Sequence, residues 1–284
     1  MKILDGKKIA EKVLVNIQRS VLRTGLKLKL AAVLVGNDPA SLSFIRRKKQ
    51  ACEKVGIGFV LYQFSVNISQ KILEKQVRKI ARDQKVSGII IQLPLPKTID
   101  VNLVLNLIPL EKDVDCLGQK SLEKFKNGKL KILPPVVGAI KKIFQAYEIK
   151  TQGKKVLIIG KGRLVGQPLI TWLSKTEETG SLPFLRVLVA DKSTKDLASL
   201  CLKADIIISG VGKPGLIRGE MIKKGAIIID VGSAKKGGKI VGDVDFSSCL
   251  KKAGAISPVP GGVGPLTVAC LLENLLKLIQ VTKI

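Results

Sequence analysis

The run Ser43-Phe44-Ile45-Arg46-Arg47-Lys48-Lys49-Gln50-Ala51-Cys52-Glu53-Lys54-Val55-Gly56-Ile57 carries lysines in a chain that has no histidine. A lysine is therefore the best remaining candidate for a base near neutral pH. The same absence excludes a Ser/His/Asp or Cys/His hydrolytic centre, a zinc-binding HExxH helix and a histidine proton shuttle. Lysine chemistry, carboxylates and cofactors are what is left. A lysine removes protons only when its neutral form is accessible, and both burial and neighbouring cations push its pKa in that direction. Helical geometry spreads consecutive residues around the axis, so only some of Arg46 to Lys49 can share one face. Taken alone, those four cations read as a solvated basic face.

A second chemical signal is Lys154-Lys155-Val156-Leu157-Ile158-Ile159-Gly160-Lys161-Gly162-Arg163-Leu164-Val165-Gly166-Gln167-Pro168. An apolar strand runs directly into a glycine turn that opens a helix, the setting in which backbone amides and the positive helix end receive a pyrophosphate. The GxGxxxG spacing is one residue longer than the common dinucleotide fingerprint. Lys161 and Arg163 add charge suited to phosphate. Beyond the next strand stands Asp191-Lys192-Ser193. An acid there suits the ribose hydroxyls of NAD, whereas a cation with a hydroxyl suits the 2'-phosphate of NADP, so both cofactors stay open at this point. Gly210-Val211-Gly212-Lys213-Pro214-Gly215 and Asp230-Val231-Gly232-Ser233 each follow an apolar strand too. Three such turns on one sheet edge are best explained by a cofactor.

Short aliphatic strands are expected at Leu30 to Val35, Gly88 to Ile91, Lys155 to Ile159, Arg186 to Ala190, Asp205 to Ser209 and Ala226 to Val231. Helical patterns cover Ser41 to Val55, Ser69 to Gln84, Val101 to Leu107, Val137 to Tyr147, Val165 to Leu173 and Leu266 to Leu278. Continuous apolar strands alternating with helices imply βαβ units and a parallel sheet buried on both faces. At 284 residues the chain lies near the size at which one core divides into two. A Lys-rich irregular segment from Gly118 to Leu133 marks the change, so the domains are drawn at 1–120 and 121–265, with helix 266–284 returning to pack on the first.

The chain carries 49 Lys+Arg against 22 Asp+Glu, a net charge of +27 that favours polyanionic ligands. The cations are spread along the chain and aromatics make up only 4%, which disfavours nucleic acid as the partner. Phosphorylated or polycarboxylate small molecules fit the charge as well. Five widely spaced cysteines without a CxxC pair argue against disulfides and a zinc site, and read as small buried hydrophobes. No apolar run approaches the length of a membrane span, and the N-terminus lacks the pattern of a signal peptide. A cytoplasmic protein is expected.

Taken together, Ser43 to Gly56, Gln92-Leu93-Pro94-Leu95-Pro96, Lys112-Asp113-Val114-Asp115, Gly160 to Pro168 and Pro258-Val259-Pro260-Gly261-Gly262-Val263-Gly264-Pro265-Leu266-Thr267 resemble the bifunctional methylenetetrahydrofolate dehydrogenase/methenyltetrahydrofolate cyclohydrolase family. The match runs in order along nearly the whole chain, and its QLPLP and PVPGGVGP segments are highly specific. The resemblance implies two α/β domains, the second a Rossmann-like NAD(P)-binding domain with a mostly parallel sheet, and a folate held in the cleft between them. It implies Lys48 as the catalytic lysine, Gln92 as its neighbour and Asp115 as the carboxylate that holds the pterin ring. Phe44, Pro260, Gly261 and Gly262 then fall on the substrate side. Gly160, Lys161, Gly162, Gly166, Lys192 and Ser233 fall on the cofactor side, with NADP expected and NAD possible. A homodimer, a polyglutamylated tetrahydrofolate substrate and a place in one-carbon metabolism are implied as well.

Three positions depart from the family pattern. Phe44 stands where a tyrosine is usual four residues before the lysine, so a ring remains for stacking but its hydroxyl is gone. Cys116 replaces the glycine of the usual KDVDG. Leu133-Pro134-Pro135-Val136-Val137-Gly138 replaces a more polar segment and removes a hydroxyl at Pro135. These changes bear on substrate positioning and on the hydrolytic half more than on the fold.

Overall fold

A computed structural model describes residues 1–178 and 185–282. Its elements begin with β1 (Lys2–Ile3), α1 (Gly6–Thr24), β2 (Lys29–Val35), α2 (Pro39–Val55), β3 (Gly58–Phe64), α3 (Gln70–Arg82) and β4 (Gly88–Ile91). There follow α4 (Val101–Leu105), α5 (Gln119–Lys126), α6 (Pro135–Ala146), β5 (Lys155–Ile159), α7 (Gly166–Glu178), β6 (Arg186–Ala190) and α8 (Leu197–Lys203). The chain then forms β7 (Ile206–Ser209), β8 (Ile227–Asp230), β9 (Ala234–Lys236), β10 (Lys239–Val241), α9 (Phe246–Leu250), β11 (Ala255–Ile256) and α10 (Val263–Thr282).

Two compact units result. One comprises Glu11–Pro135 and the stretch from Val268; the other comprises Met1–Ala10 and Val136–Thr267. This differs from the boundary drawn on the sequence at 120 and 121, and the hydrogen bonds show why. Ser121 at the head of α5 donates to the Asp113 carboxylate at 2.6 Å, and Asn274 donates to the Leu133 carbonyl at 2.8 Å, which ties 121–135 to the first unit. At the N-terminus, β1 pairs in parallel with β11, Lys2 opposite Ala255, which ties residues 1–10 to the second unit.

The first unit is built on a three-stranded parallel sheet, β3-β2-β4. β2 is buried from Leu30 to Val35 and β4 along its whole length, as expected of strands covered on both faces. Helix α3 presents Leu73, Val77 and Ile80 to the core at helical spacing, beside Val33, Val35, Ile89 and Ile91. Each such side chain removed from water stabilises the fold by roughly 1.5–3 kcal/mol.

The second unit is a six-stranded parallel sheet in the order β1-β11-β8-β7-β5-β6, with the β9–β10 hairpin as a separate two-stranded piece. From β5 the chain moves out to β6 and returns to β7 on the other side of β5. The order therefore reverses between β5 and β7, and open α/β sheets bind ligands at such a switch point, beyond the carboxyl ends of the strands. The turns 160–165 and 210–213 leave those two strand ends.

Helix α10 meets the length and composition of a membrane span over residues 263–280, contrary to the expectation that no stretch does. Just over half of that window, 56%, is buried inside the protein, and Leu266, Leu271, Leu272 and Leu275 are among the most enclosed side chains. It serves here as a core helix.

Candidate functional site

Helix α2 places the candidate lysine. Pro39 opens it, the Asp38 side chain caps it by accepting from the Ser41 amide at 2.8 Å, and Gly56 closes it in the left-handed conformation at φ +76°. With the helix phase fixed, Ser41, Ile45, Cys52 and Val55 face inward. Arg46, Arg47 and Lys49 face water, while Lys48 is half-buried on the same track as Phe44. Of the four consecutive cations, one is turned toward the interior.

Gln92 meets it. The Gln92 amide donates to the Val33 carbonyl at 2.8 Å, which extends the β2–β4 ladder by one residue and holds Gln92 against the sheet edge. Its side-chain Nε2 donates to the Leu93 carbonyl at 2.8 Å, so its Oε1 turns to Lys48 and accepts from Nζ at 3.1 Å. A neutral Lys48 amine held by one N–H to Gln92 keeps its lone pair free for a proton.

Burial pushes the Lys48 amine below its ordinary pKa, with the charges of Asp115 and Cys52 acting the other way. Burial pushes the Asp115 carboxyl above its ordinary value; the Lys48 charge opposes that and the Asp113 charge adds to it. The pair thus moves toward a base that is easier to neutralise and an acid that is harder to ionise. The Cys52 thiol, one helical turn past Lys48, is pushed up to about 12 by burial, which makes it inert as a nucleophile.

The loop carrying Asp115 is anchored by Asp113 and Lys112 of its own motif and by Asn274, which no motif marks. Asp113 is buried and accepts from Ser121 Oγ at 2.6 Å, Gly118 N at 2.9 Å and Leu117 N at 3.3 Å. Asn274, buried in α10, donates to the carbonyls of Val114 at 2.9 Å and Leu133 at 2.8 Å. A lone asparagine amid Leu271 to Leu278 was the available signal. Lys112 caps the end of α3, donating to Ala81 O at 2.9 Å and Asp83 O at 2.7 Å. Cys116 sits at φ +57°, in the left-handed region that favours glycine.

In the second unit, Pro260, Gly261 and Gly262 form the entry to α10. The Val259-Pro260 bond is cis, Gly261 has φ +108°, Gly262 N donates to Pro258 O at 2.8 Å and Lys7 N donates to Gly261 O at 2.8 Å. Lys48, Gln92 and Asp115 belong to one unit and these three residues to the other.

Gly160, Lys161, Gly162 and Gly166 form the turn from β5 to α7. Gly160 takes φ +99°. A Cβ on Gly166 would overlap the Gly160 carbonyl oxygen, so turn and helix close on one another as only glycine permits. At Gly162 an added Cβ would meet nothing within 4 Å, so the turn is open on that side. Lys161 Nζ lies 2.8 Å from Asp191 Oδ2, while Asp191 Oδ1 accepts from Ser193 N at 2.9 Å and Ser193 Oγ at 2.6 Å. The hydrogen bond from Lys161 holds the Asp191 carboxyl well below the usual carboxylate range, with Ser193 adding to it. Asp191 is thereby committed within the protein. Lys192 and Ser233 are exposed. Among the described residues no cluster of His, Cys, Asp or Glu is arranged to hold a metal.

The geometry of both units has counterparts. The catalytic-domain model of tetrahydrofolate dehydrogenase/cyclohydrolase matches residues 4–115, and the NAD(P)-binding-domain model of the same family matches residues 134–283. A relative from Nautilia profundicola named bifunctional protein FolD is 41% identical over 281 residues, 98% of this chain and 96% of the relative. The crystal structure of the bifunctional FolD dehydrogenase/cyclohydrolase from Campylobacter jejuni shares 38% identity at a TM-score of 0.91, over 99% of both chains. The Trypanosoma brucei enzyme, solved with NADP cofactor and inhibitor, shares 31% identity at a TM-score of 0.92, over 99% of this chain and 98% of that one. With both halves of the chain matched in order, and relatives of this identity over its full span, the protein belongs to the tetrahydrofolate dehydrogenase/cyclohydrolase family.

Proposed function

We infer that this protein oxidises 5,10-methylenetetrahydrofolate to the 5,10-methenyl form with NADP, and hydrolyses that cation to 10-formyltetrahydrofolate. The observation that carries the reading is the Lys48–Gln92 contact, 3.1 Å long, with burial lowering the lysine pKa. When bound, NADP supplies the acceptor for the hydride that leaves the methylene bridge. Lys48, as the neutral amine, takes the proton from the water that adds to the methenyl carbon, and Gln92 holds the amine in place. Asp115 accepts from the 2-amino-4-oxo edge of the pterin, and Phe44 stacks on a ring.

On the cofactor side the open turn at Gly162 fits a phosphate approach, with Gly160, Gly166 and the Lys161 charge shaping it. Lys192 meets the 2'-phosphate and Ser233 lies toward the nicotinamide in this reading. The commitment of Asp191 to Lys161 and Ser193 favours NADP, because a free acid would repel that phosphate. The net charge of +27 suits a polyglutamylated folate. A homodimer in the cytoplasm, serving one-carbon metabolism and through it purine, methionine and histidine synthesis, completes the proposal, with neither membrane nor nucleic acid as partner.

The test is oxidation of methylenetetrahydrofolate with NADP and NAD run in parallel, following methenyl absorbance and its decay. Turnover with NADP, followed by loss of the methenyl signal, is expected; no turnover with either cofactor would overturn the reading. Lys192→Ala is expected to raise the KM for NADP about tenfold, the equivalent of one exposed charge-assisted contact, and to leave the KM for NAD unchanged. Equal losses would mean that Lys192 points elsewhere.

Phe44 allows a further check, since it lies one helical turn before Lys48 and cannot hydrogen-bond. Phe44→Tyr is expected to speed hydrolysis of the methenyl form by about tenfold to a hundredfold, with hydride transfer little changed. An already fast hydrolysis that the hydroxyl does not alter would show that orientation is supplied another way.

A further inference from the structure

Beneath the turns that follow β7 and β8 lies a network of carboxylates that the reaction does not consume. Asp243 has no exposed surface, and no ion pair reaches it among the described residues. Its Oδ2 accepts from Ser209 Oγ at 2.7 Å and Val211 N at 2.8 Å, and its Oδ1 accepts from Lys213 N at 2.7 Å. All three donors come from the end of β7 and the turn it enters. Asp230, at the end of β8, accepts from Gly232 N at 2.8 Å, Asp243 N at 3.1 Å and Val244 N at 2.9 Å. A Cβ at Gly232 would overlap the Asp243 carboxylate, so the turn after β8 rests directly on that group.

The turn that Asp243 gathers also presses on the glycine turn after β5. A Cβ at Gly160 would lie 2.6 Å from Val211 Cγ1, and one at Gly210 would lie 2.9 Å from Val165 Cβ. One buried carboxylate therefore sets the backbone of the turn after β7 and bears on the turns after β5 and β8, at the switch point of the sheet. Burying a carboxylate without a cation is costly unless hydrogen bonds to its charged form compensate. Here the compensation comes from the turns themselves, so the carboxylate and the turns hold one another in this arrangement. Burial pushes the neighbouring Asp230 carboxyl up to about 6, against the pull of its own amide donors.

We propose that Asp243 is a positioning residue for the dinucleotide, holding the turns after β5, β7 and β8 in the geometry that receives it. This rests on the functional reading of the sheet edge given above. In Asp243→Asn the side-chain NH2 has to face at least one of the N–H or O–H groups that the carboxylate now accepts from. The KM for NADP is expected to rise about tenfold, as is the Kd read from NADPH fluorescence. Hydrolysis of supplied methenyltetrahydrofolate stays within twofold, because Lys48, Gln92 and Asp115 belong to the other unit. Ser209→Ala, which removes one of the three donors and leaves no donor facing another, is expected to raise the NADP KM about threefold and decides the matter if Asp243→Asn does not fold. An unchanged NADP KM in the folded variants overturns the proposal. So does a fall in hydrolysis parallel to the loss of NADP binding and thermal stability, which marks a merely structural role. Wild-type protein assayed alongside separates the two claims: if it fails to turn over with NADP, the functional reading fails, whereas normal wild-type turnover with unaltered variants removes only Asp243.

Discussion

Replacing Lys48 with methionine is expected to lower cyclohydrolase kcat by about 10²- to 10⁴-fold, the contribution of a positioned general base, while NADP binding persists. Methionine keeps the unbranched stem that α2 turns inward but has no proton acceptor of comparable basicity. The Gln92 Oε1 that now accepts from Lys48 Nζ at 3.1 Å loses its donor, and Asp115 loses the cation that opposes the rise in its pKa. Folate affinity therefore falls too, with the larger loss in the hydrolytic rate. NADP titration of the variant is expected to match the wild type, since the glycine turn lies in the other unit. Hydrolysis within tenfold of wild type would remove Lys48 as the base.

Gly166→Ala is expected to produce the reverse pattern. The new Cβ would overlap Gly160 O and lie 2.7 Å from Gly160 C and 2.9 Å from Lys161 Cα. All three obstacles are backbone atoms, which cannot rotate away as a flexible side chain would. Either α7 moves or the turn does, and a displacement near 1 Å at a positioning element costs on the order of a hundredfold. The NADP KM should rise by about that factor or more, with hydrolysis of supplied methenyltetrahydrofolate within about threefold of wild type. A variant with an NADP KM within threefold of wild type would show that the close approach of turn and helix is not what the cofactor reads.

The opposite signatures follow from the placement of Lys48 and Gly166 in different units, which differ in how much of them the sequence makes legible. Buried parallel strands announce themselves by continuous apolar runs, so β2, β4, β5, β6, β7 and β8 stand within a residue of their expected bounds. β3 escaped because it is half-exposed along Gly58–Phe64 and reads as neither a buried run nor a clean alternation. α1 escaped although Ala10, Val13, Ile17 and Val21 are buried at helical spacing, since charged and polar residues interrupt its apolar positions throughout. The β9–β10 hairpin has three residues in each strand, two of them lysines in β9, too few for a pattern; Gly237-Gly238, both at positive φ, was its one signal.

The site divides in the same way. Four consecutive cations look alike in sequence, and helix phase, fixed by the Asp38 cap and the Gly56 stop, turns Lys48 in and leaves its neighbours in water. Motif resemblance pointed to Lys48, Gln92 and Asp115; composition alone did not. Asn274 and Asp243 stayed hidden because their partners are mostly backbone atoms far away in sequence, and a carbonyl or amide carries no sequence signature. Such groups become visible only once the fold has closed.

The proposed hydrolytic base is a lysine whose neutral form is accessible, and the pH dependence of methenyltetrahydrofolate hydrolysis tests that most directly. The sign follows from the chemistry: the base is the unprotonated amine, so the rate rises as pH rises through its pKa. Burial sets that pKa below the ordinary 10.5. After subtraction of the uncatalysed rate, wild-type kcat is predicted to climb with pH and level off below that value, and Lys48→Met is predicted to show no such rise. An enzymatic rate that is flat with pH, or a climb of the same size and midpoint in Lys48→Met, would contradict it.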